Sequence, residues 1–322
     1  MSAKILVKQV DQAVVTHLAE TFDLPHFIAA TLASRGVIHD EQVERFLHPS
    51  LVRDWRDPYD IEGMEEVVER LLAALKRSAR ILVFGDFDVD GITATSIMTR
   101  GLRALGAEVI PFIPLRFKEG YGLSAKAIER VIGMNPDLVI TVDNGIAASD
   151  EVEHLKREGI EVIITDHHEP AEAVPKGVPL IDPKCGNNPS SILAGAGVAL
   201  KAIQALGARL GKPHLWHDLV DLATLGTIAD LMPMVDENRA LVAEGLTMLN
   251  SEPRACIEAL MVQAGIEPGT LSSVNLGFTL IPRLNAAGRM GNAQLALDLP
   301  GVLLHHLGNA RSHRAKAHNR DL

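Results

Sequence analysis

Three aspartates at alternate positions, Asp86, Asp88 and Asp90, sit in a turn bounded by Gly85 and Gly91. Carboxylates this close repel one another unless a cation neutralises them, so the string reads either as a divalent-metal site or as a solvated acidic turn. A calcium-binding EF-hand loop starts in a similar way, but it needs a Glu at its twelfth position, where this chain has Ile97. A second cluster, Asp166-His167-His168-Glu169, places two imidazoles among acids. Adjacent histidines are often incidental, yet carboxylates and imidazoles drawn from separate segments are the donor set of Mn²⁺, Mg²⁺ or Zn²⁺ sites. In such a pair one ring can bind metal while the other supports it or meets a phosphate. Two lone acids complete the set. Asp143, in Val142-Asp143-Asn144-Gly145, is either a ligand or a structural acid at a strand end. Asp230 lies in the apolar stretch Gly226 to Pro233, where an unpaired charge is costly and invites a metal, a helix cap or an ion pair.

The elements around these residues explain how they could meet. From residue 81 onward short β-rich runs alternate with helical segments, the pattern of βαβ units. The strands expected are Ile81 to Phe84, Val109 to Ile113, Leu138 to Val142, Glu161 to Thr165 and Val178 to Ile181. Their near-continuous apolar character suits a parallel sheet covered by helices on both faces, an α/β fold. Four of the five run into Asp86-Phe87-Asp88-Val89-Asp90, Asp143, Asp166-His167-His168 or Asp182-Pro183-Lys184. That is the C-terminal edge, where open α/β sheets place their ligands.

Residues 1–60 read as lead-in helices broken by Pro25, Pro49 and Pro58, without a chemical cluster. Met64 to Lys76 carries Val67, Val68, Leu71, Leu72 and Leu75 on one helical stripe. After residue 190 helices dominate: Gly197 to Leu210, Leu215 to Leu225, Arg239 to Leu249 and Arg254 to Ala264. The expected division is a lead-in over 1–60, a sheet domain over 61–235, a helical extension over 236–300 and a basic tail over 301–322.

With 322 residues and 47% hydrophobic content the chain can bury a large core. Its longest apolar runs, such as Leu138 to Val142, fall far short of the roughly 20 residues that cross a bilayer. Lys4, Lys8 and Asp11 interrupt the N-terminal stretch, which lacks the apolar core of a secretory signal, so a cytoplasmic protein without a membrane role is expected. Cys185 and Cys256 are too few and too scattered for a disulfide framework or a zinc ribbon. A net charge of −10 argues against a protein that coats nucleic acid nonspecifically, since that rests on neutralising many phosphates. It leaves room for a nucleic-acid enzyme with an acidic metal site and a local basic groove.

In order and spacing, Gly85 to Gly91, Val142 to Gly145, Thr165 to Glu169 and Gly226 to Pro233 resemble the four motifs of the DHH phosphoesterase family, named after the triplet found here as Asp166-His167-His168. Gly120 to Ser124, Leu193 to Ala199 and Ile281 to Met290 narrow the resemblance to the family's single-strand-specific DNA exonucleases, over roughly residues 20–298. The resemblance implies a hydrolase with two divalent cations, Mn²⁺ or Mg²⁺, that removes nucleotides from single-stranded DNA in the 5′→3′ direction. By position, Asp88, Asp90, Asp143, His167 and Asp230 become metal ligands, with Asp143 bridging, Asp86 a less direct participant and His168 facing the phosphate. Arg283, Asn285 and Arg289 would meet substrate phosphate, or in the case of the arginines pair with surface acids. Arg116, Lys118 and Tyr121 would line the strand's path, or belong to a solvated loop. Expected partners are a single-strand-binding protein and a helicase, in repair and recombination.

This sequence departs from the family pattern at Phe84, where many members carry a histidine, and from Pro300 onward, where the family continues into an associated domain and an oligonucleotide-binding fold. Other readings are a small-substrate member of the family (oligoribonuclease, cyclic-dinucleotide phosphodiesterase or pyrophosphatase), an inactive truncated form, and a Cdc45-like scaffold. The retained clustered charges argue against a scaffold, which has no use for them.

Overall fold

The computed structural model describes residues 8–115, 119–120, 122–170 and 173–289. Five parallel strands form one sheet: β1 (Arg80–Phe84), β2 (Glu108–Phe112), β3 (Leu138–Val142), β4 (Glu161–Thr165) and β5 (Leu180–Ile181), in the spatial order β2-β1-β3-β4-β5. Alternation along each strand splits the interior into two cores. Ile81, Val83, Ile140 and Val142 face one side and Leu82, Phe84, Val139 and Ile164 the other. Both sides are dry, which is why the strands read as continuous apolar runs.

The order of strands matters for the site. The chain leaves β1 toward β2 on one side and returns past β1 to β3 on the other, so β1 and β3 flank the topological switch point. Their C-terminal ends diverge into a crevice there.

On the first face lie α5 (Met64–Lys76), α6 (Val89–Ala104), α9 (Gly195–Arg209) and α10 (Val220–Ala229); on the second lie α7 (Ala125–Gly133) and α8 (Ser149–Arg157). Helix α6 is buried from Val89 to Leu102 between the sheet and α9 and α10. Three of its four hydroxyls tolerate this because they turn back on the helix: Thr93, Thr95 and Ser96 donate to the carbonyls of Val89, Gly91 and Ile92 at 2.7–2.8 Å. Ahead of the sheet domain, α1 (Gln12–Thr21), α2 (His26–Ser34) and α3 (Asp40–Leu47) enclose a small core of their own around Leu18, Leu32 and Val43, and the short helix α4 (Leu51–Asp54) follows. Helices α11 (Asp236–Ser251) and α12 (Ala255–Ala264) continue the chain after the sheet domain. A short helical turn, Ser273–Asn275, and a π-helical turn, Leu276–Leu280, then run into α13 (Ile281–Arg289).

The sequence-based boundaries shift in three informative places. Strand β5 is confined to Leu180–Ile181 because Pro179 has no N–H for the ladder, although its carbonyl still accepts from Ile164. The segment from Leu215 splits into a 3₁₀ turn and α10, which runs on to Ala229 and leaves Asp230 as its C-cap. Helix α9 begins at Gly195, two residues earlier than the apolar periodicity suggests. The expected basic tail lies outside the described residues.

Candidate metal centre

Each donor segment is held by its own local geometry. After β1, Asp88 caps α6 by accepting from Gly91 N at 3.0 Å, which fixes Asp90 in the first helical turn. Asp86 accepts from Phe87 N at 2.8 Å and is buried. After β3, Asp143 adopts a left-handed conformation with φ of 60°, a region that Asp and Asn enter more readily than other side chains. After β4, the carboxylate of Asp166 is buried and engaged by hydrogen bonds on both oxygens. Its Oδ2 accepts from Ile146 N at 2.9 Å, and its Oδ1 accepts from His167 N at 2.8 Å and from His168 Nδ1 at 2.7 Å.

His167 Nε2 sits among three carboxylates, 2.9 Å from Asp143 Oδ1, 3.5 Å from Asp90 Oδ2 and 3.8 Å from Asp230 Oδ2. Three triads of donor atoms, each within 4.8 Å of one another, occur among the described residues: Asp86, Asp88 and Asp143; Asp90, His167 and Asp230; Asp143, His167 and His168. Asp143 links the first triad to the His167 side. A cleft of about 140 Å³, lined by Phe87, Asp88, Asp90, Asp230 and Asn285, opens onto these groups.

The electrostatics are those of a cluster built for a cation. Burial raises the Asp90 carboxyl to about 7, with Ala196 N–H opposing and the charge of Asp88 adding. Burial, followed by the charges of Asp90 and Asp88, pushes Asp143 well above the ordinary carboxylate range. Burial and the neighbouring His168 lower His167 to about 4, so its imidazole is neutral, the form that ligates metal. The hydrogen bond to Asp166 raises His168. Oxygen-rich donors with one or two imidazoles and no thiolate suit Mn²⁺ or Mg²⁺.

Helix α9 completes the centre. The N–H groups of Gly195 and Ala196 donate to Asp90 Oδ2 and Oδ1 at 2.7 and 2.9 Å, so the positive end of the helix faces the carboxylate. A Cβ on Gly195 would lie 2.6 Å from Asp143 Cβ and 2.8 Å from its Oδ1. One on Gly226 would lie 2.4 Å from Asp90 Oδ1. Gly195→Ala is therefore expected to displace Asp143 and to lower metal-dependent turnover by about 10- to 100-fold, the usual effect of disturbing groups that orient ligands. Steady-state rates alongside thermal melts check this, because the methyl touches the donor carboxylate directly.

The structure thus brings together Asp86, Asp88, Asp90, Asp143, His167, His168 and Asp230. Asn285 Oδ1 accepts from Val89 N at 3.1 Å, so this residue steadies the acidic loop as well as lining the cleft. Arg283 is exposed, with its guanidinium on the Thr279 carbonyl of the preceding turn at 2.6 Å. Arg116, Lys118, Tyr121 and the side chain of Arg289 lie outside the described residues. Sequence reasoning gave no role to Asp166, Gly195, Ala196 or Gly226. An acid two positions before a strand-end histidine is a usable signal for Asp166, whereas the glycine contacts depend on tertiary approach.

Residues 80–227 match the DHH family, N-terminal domain. A solved structure of an exonuclease RecJ bound to manganese is similar over 81% of this chain and 69% of that one, at 38% identity and a TM-score of 0.68. The chain belongs to the DHH family, on its RecJ branch. RecJ of Thermus thermophilus in complex with Mn²⁺ superposes with a TM-score of 0.75 at 34% identity, covering 89% of this chain and 40% of that one. The single-stranded-DNA-specific exonuclease RecJ of Bacillus subtilis is 40% identical over 296 residues, and that of Escherichia coli is 37% identical over 304. The chain spans 37% of the first RecJ protein and 51% of the second.

Proposed function

We propose that this chain is the core of a divalent-metal-dependent phosphodiesterase that removes nucleotides from single-stranded DNA in the 5′→3′ direction. One observation carries the proposal: two donor clusters joined by Asp143 at the switch point of a sheet, in a chain of the RecJ branch. Asp88 and Asp143, with Asp86 beside them, would hold one Mn²⁺ or Mg²⁺, and Asp90, His167, Asp230 and the shared Asp143 the other. A pair of such ions supplies Lewis acidity to phosphoryl oxygens and lowers the pKa of a water near them.

The protein's own groups do the rest. Asp166 fixes the His168 tautomer by accepting its Nδ1–H, so Nε2 is the atom that faces a phosphate oxygen. Asn285 has its amide oxygen committed to Val89 N–H, which leaves the NH₂ as a donor in an otherwise acidic cleft. We assign Arg283, Arg289, Arg116 and Tyr121 to the DNA strand on the family resemblance, and on the same ground place the protein in cytoplasmic repair and recombination beside a helicase and a single-strand-binding protein. No described helix is long and apolar enough to cross a membrane.

The test is incubation with Mn²⁺ and end-labelled single-stranded DNA, duplex DNA, a dinucleotide and pyrophosphate. Mononucleotides released from the 5′ end of the single strand alone are the expected result. Turnover restricted to dinucleotide or pyrophosphate would replace this reading with a small-substrate hydrolase, and metal binding without turnover with a scaffold.

A further inference from the structure

Because Asp90 hangs from the first two N–H groups of α9, and Gly195 rests against Asp143, the axial position of that helix sets where both carboxylates stand. Something must hold α9 in register. We propose that the buried Lys201–Glu237 pair is a positioning device for the metal centre, fixing the start of α9 from both sides; the inference rests on the proposed metal-binding role of the site.

Lys201 lies on α9 six residues beyond Gly195, about 9 Å along the axis at 1.5 Å per residue. Its side chain is wholly buried. The ammonium is 2.6 Å from Glu237 Oε1 and 2.5 Å from the Arg56 carbonyl, and it lies 3.8 Å from the centroid of the Trp55 ring. Glu237, equally buried in the first turn of α11, is saturated. Its Oε1 also accepts from Arg56 N at 2.9 Å, and its Oε2 accepts from Ser190 Oγ at 2.6 Å and Arg56 Nη1 at 3.1 Å.

Ser190 belongs to the 3₁₀ turn Pro189–Ile192 that leads into α9. The next residue of α11, Asn238, donates Nδ2 to the Ile192 carbonyl at 2.6 Å. Thus Glu237 and Asn238 grip the chain just before α9, and Lys201 grips the helix just after its first turn. Neither member of the pair belongs to the donor cluster.

Stability alone is a poor reason for this arrangement, because a buried ion pair replaced by apolar side chains of similar volume commonly leaves a protein as stable or more so. What apolar contacts do not reproduce is direction. Of the four hydrogen bonds on Glu237, one reaches Lys201 on the helix and one reaches Ser190 in the turn before it, while the two from Arg56 hold the carboxylate itself in place. The helix start is thereby fixed in direction, as the donor-to-carboxylate contact of 2.7 Å at Gly195 requires.

The double variant Lys201→Met with Glu237→Leu separates the two roles. Its melting temperature is expected to fall, because the Arg56 N–H and carbonyl and Ser190 Oγ lose their partners, so the comparison is made at a temperature where circular dichroism shows it folded. Its Mn²⁺ affinity, read by isothermal titration on folded protein, is expected to fall by about 10-fold or more, with kcat falling in step. A folded double variant that binds Mn²⁺ like the parent overturns the proposal. Should the double variant fail to fold, Glu237→Gln, which keeps the shape and the acceptor for Ser190, is titrated at a temperature where circular dichroism shows it folded, and a parental isotherm there is equally decisive against it. Because the readout is metal binding, a parent that binds Mn²⁺ yet leaves DNA intact defeats the exonuclease reading without touching this one.

Discussion

Asp143→Asn is expected to reduce metal-dependent cleavage by about 10³-fold or more, in line with removing a group that acts as part of a unit, while leaving the metal-free protein at least as stable. The backbone of residue 143 has a φ of 60°, and Asn enters that region as readily as Asp, so the substitution adds no backbone strain. The amide oxygen can still face His167 Nε2, now 2.9 Å from the carboxylate. What disappears is the charge shared by the donor clusters on either side.

In the metal-free state that charge is a burden. Burial and the neighbouring Asp90 and Asp88 hold the Asp143 carboxyl well above its ordinary range, so ionising it opposes folding. A neutral amide removes the penalty. Melting curves in EDTA at pH 8 should therefore show the variant equal to or above the parent, while initial rates in Mn²⁺ show it inactive. Cleavage within tenfold of the parental rate would remove Asp143 from the centre of the mechanism.

Much of this centre was legible in the sequence because its donors follow strands. Apolar runs at Leu138 to Val142 and Glu161 to Thr165 are long enough to identify, and whatever follows a parallel strand lies on the ligand-bearing edge. The EF-hand pattern could be set aside on one residue, Ile97, and the structure places that residue inside α6. What remained hidden depends on approach between distant segments. Nothing in Leu193 to Ala199 says that the N–H groups of Gly195 and Ala196 meet Asp90, because a helix start carries the same sequence whether its donors face solvent or a carboxylate. Strand order was hidden for a similar reason: five parallel strands admit several orders, and the switch point between β1 and β3 follows from packing. Lys201 was the least legible residue of all. On a largely apolar helix a lysine reads as a solvated position, and it is Glu237, 36 residues away, together with the Arg56 carbonyl and the Trp55 ring, that makes its burial tolerable.

Metal and pH should be linked strongly in this protein, and the signs follow from the buried groups. Asp90 sits near 7 when folded, against an unperturbed 3.8, so the folded state holds a proton that the unfolded chain has released, and stability falls as pH rises through that interval. Asp143 acts in the same direction. His168, raised by Asp166, contributes stability below its unfolded pKa that is lost as pH rises through the folded one. His167 works the other way: its folded pKa of about 4 lies below the unperturbed 6.5, so stability is lost as pH falls across that range. The opposing effects overlap between about 4 and 6.5, which makes the region above 6.5 the informative one. There the metal-free protein is expected to lose stability as pH rises through about 7, where Asp90 ionises, with Asp143 and His168 acting in the same direction.

Mn²⁺ competes with those protons, so its effect should grow over the same interval. At ~100 times the dissociation constant each site adds about 2.7 kcal/mol, hence about 5 kcal/mol for two sites. At 2–4 °C per kcal/mol, typical of domains somewhat smaller than this chain, the melting temperature would rise by roughly 10–20 °C. Thermal melts at pH 6.5 and 8.5, with EDTA or with Mn²⁺, measure all four corners of this cycle. A Mn²⁺ shift that is the same at both pH values would show that the protons on Asp90 and Asp143 are not the ones the metal displaces, and the buried carboxylates would then have to be ionised, and otherwise neutralised, before any cation arrives.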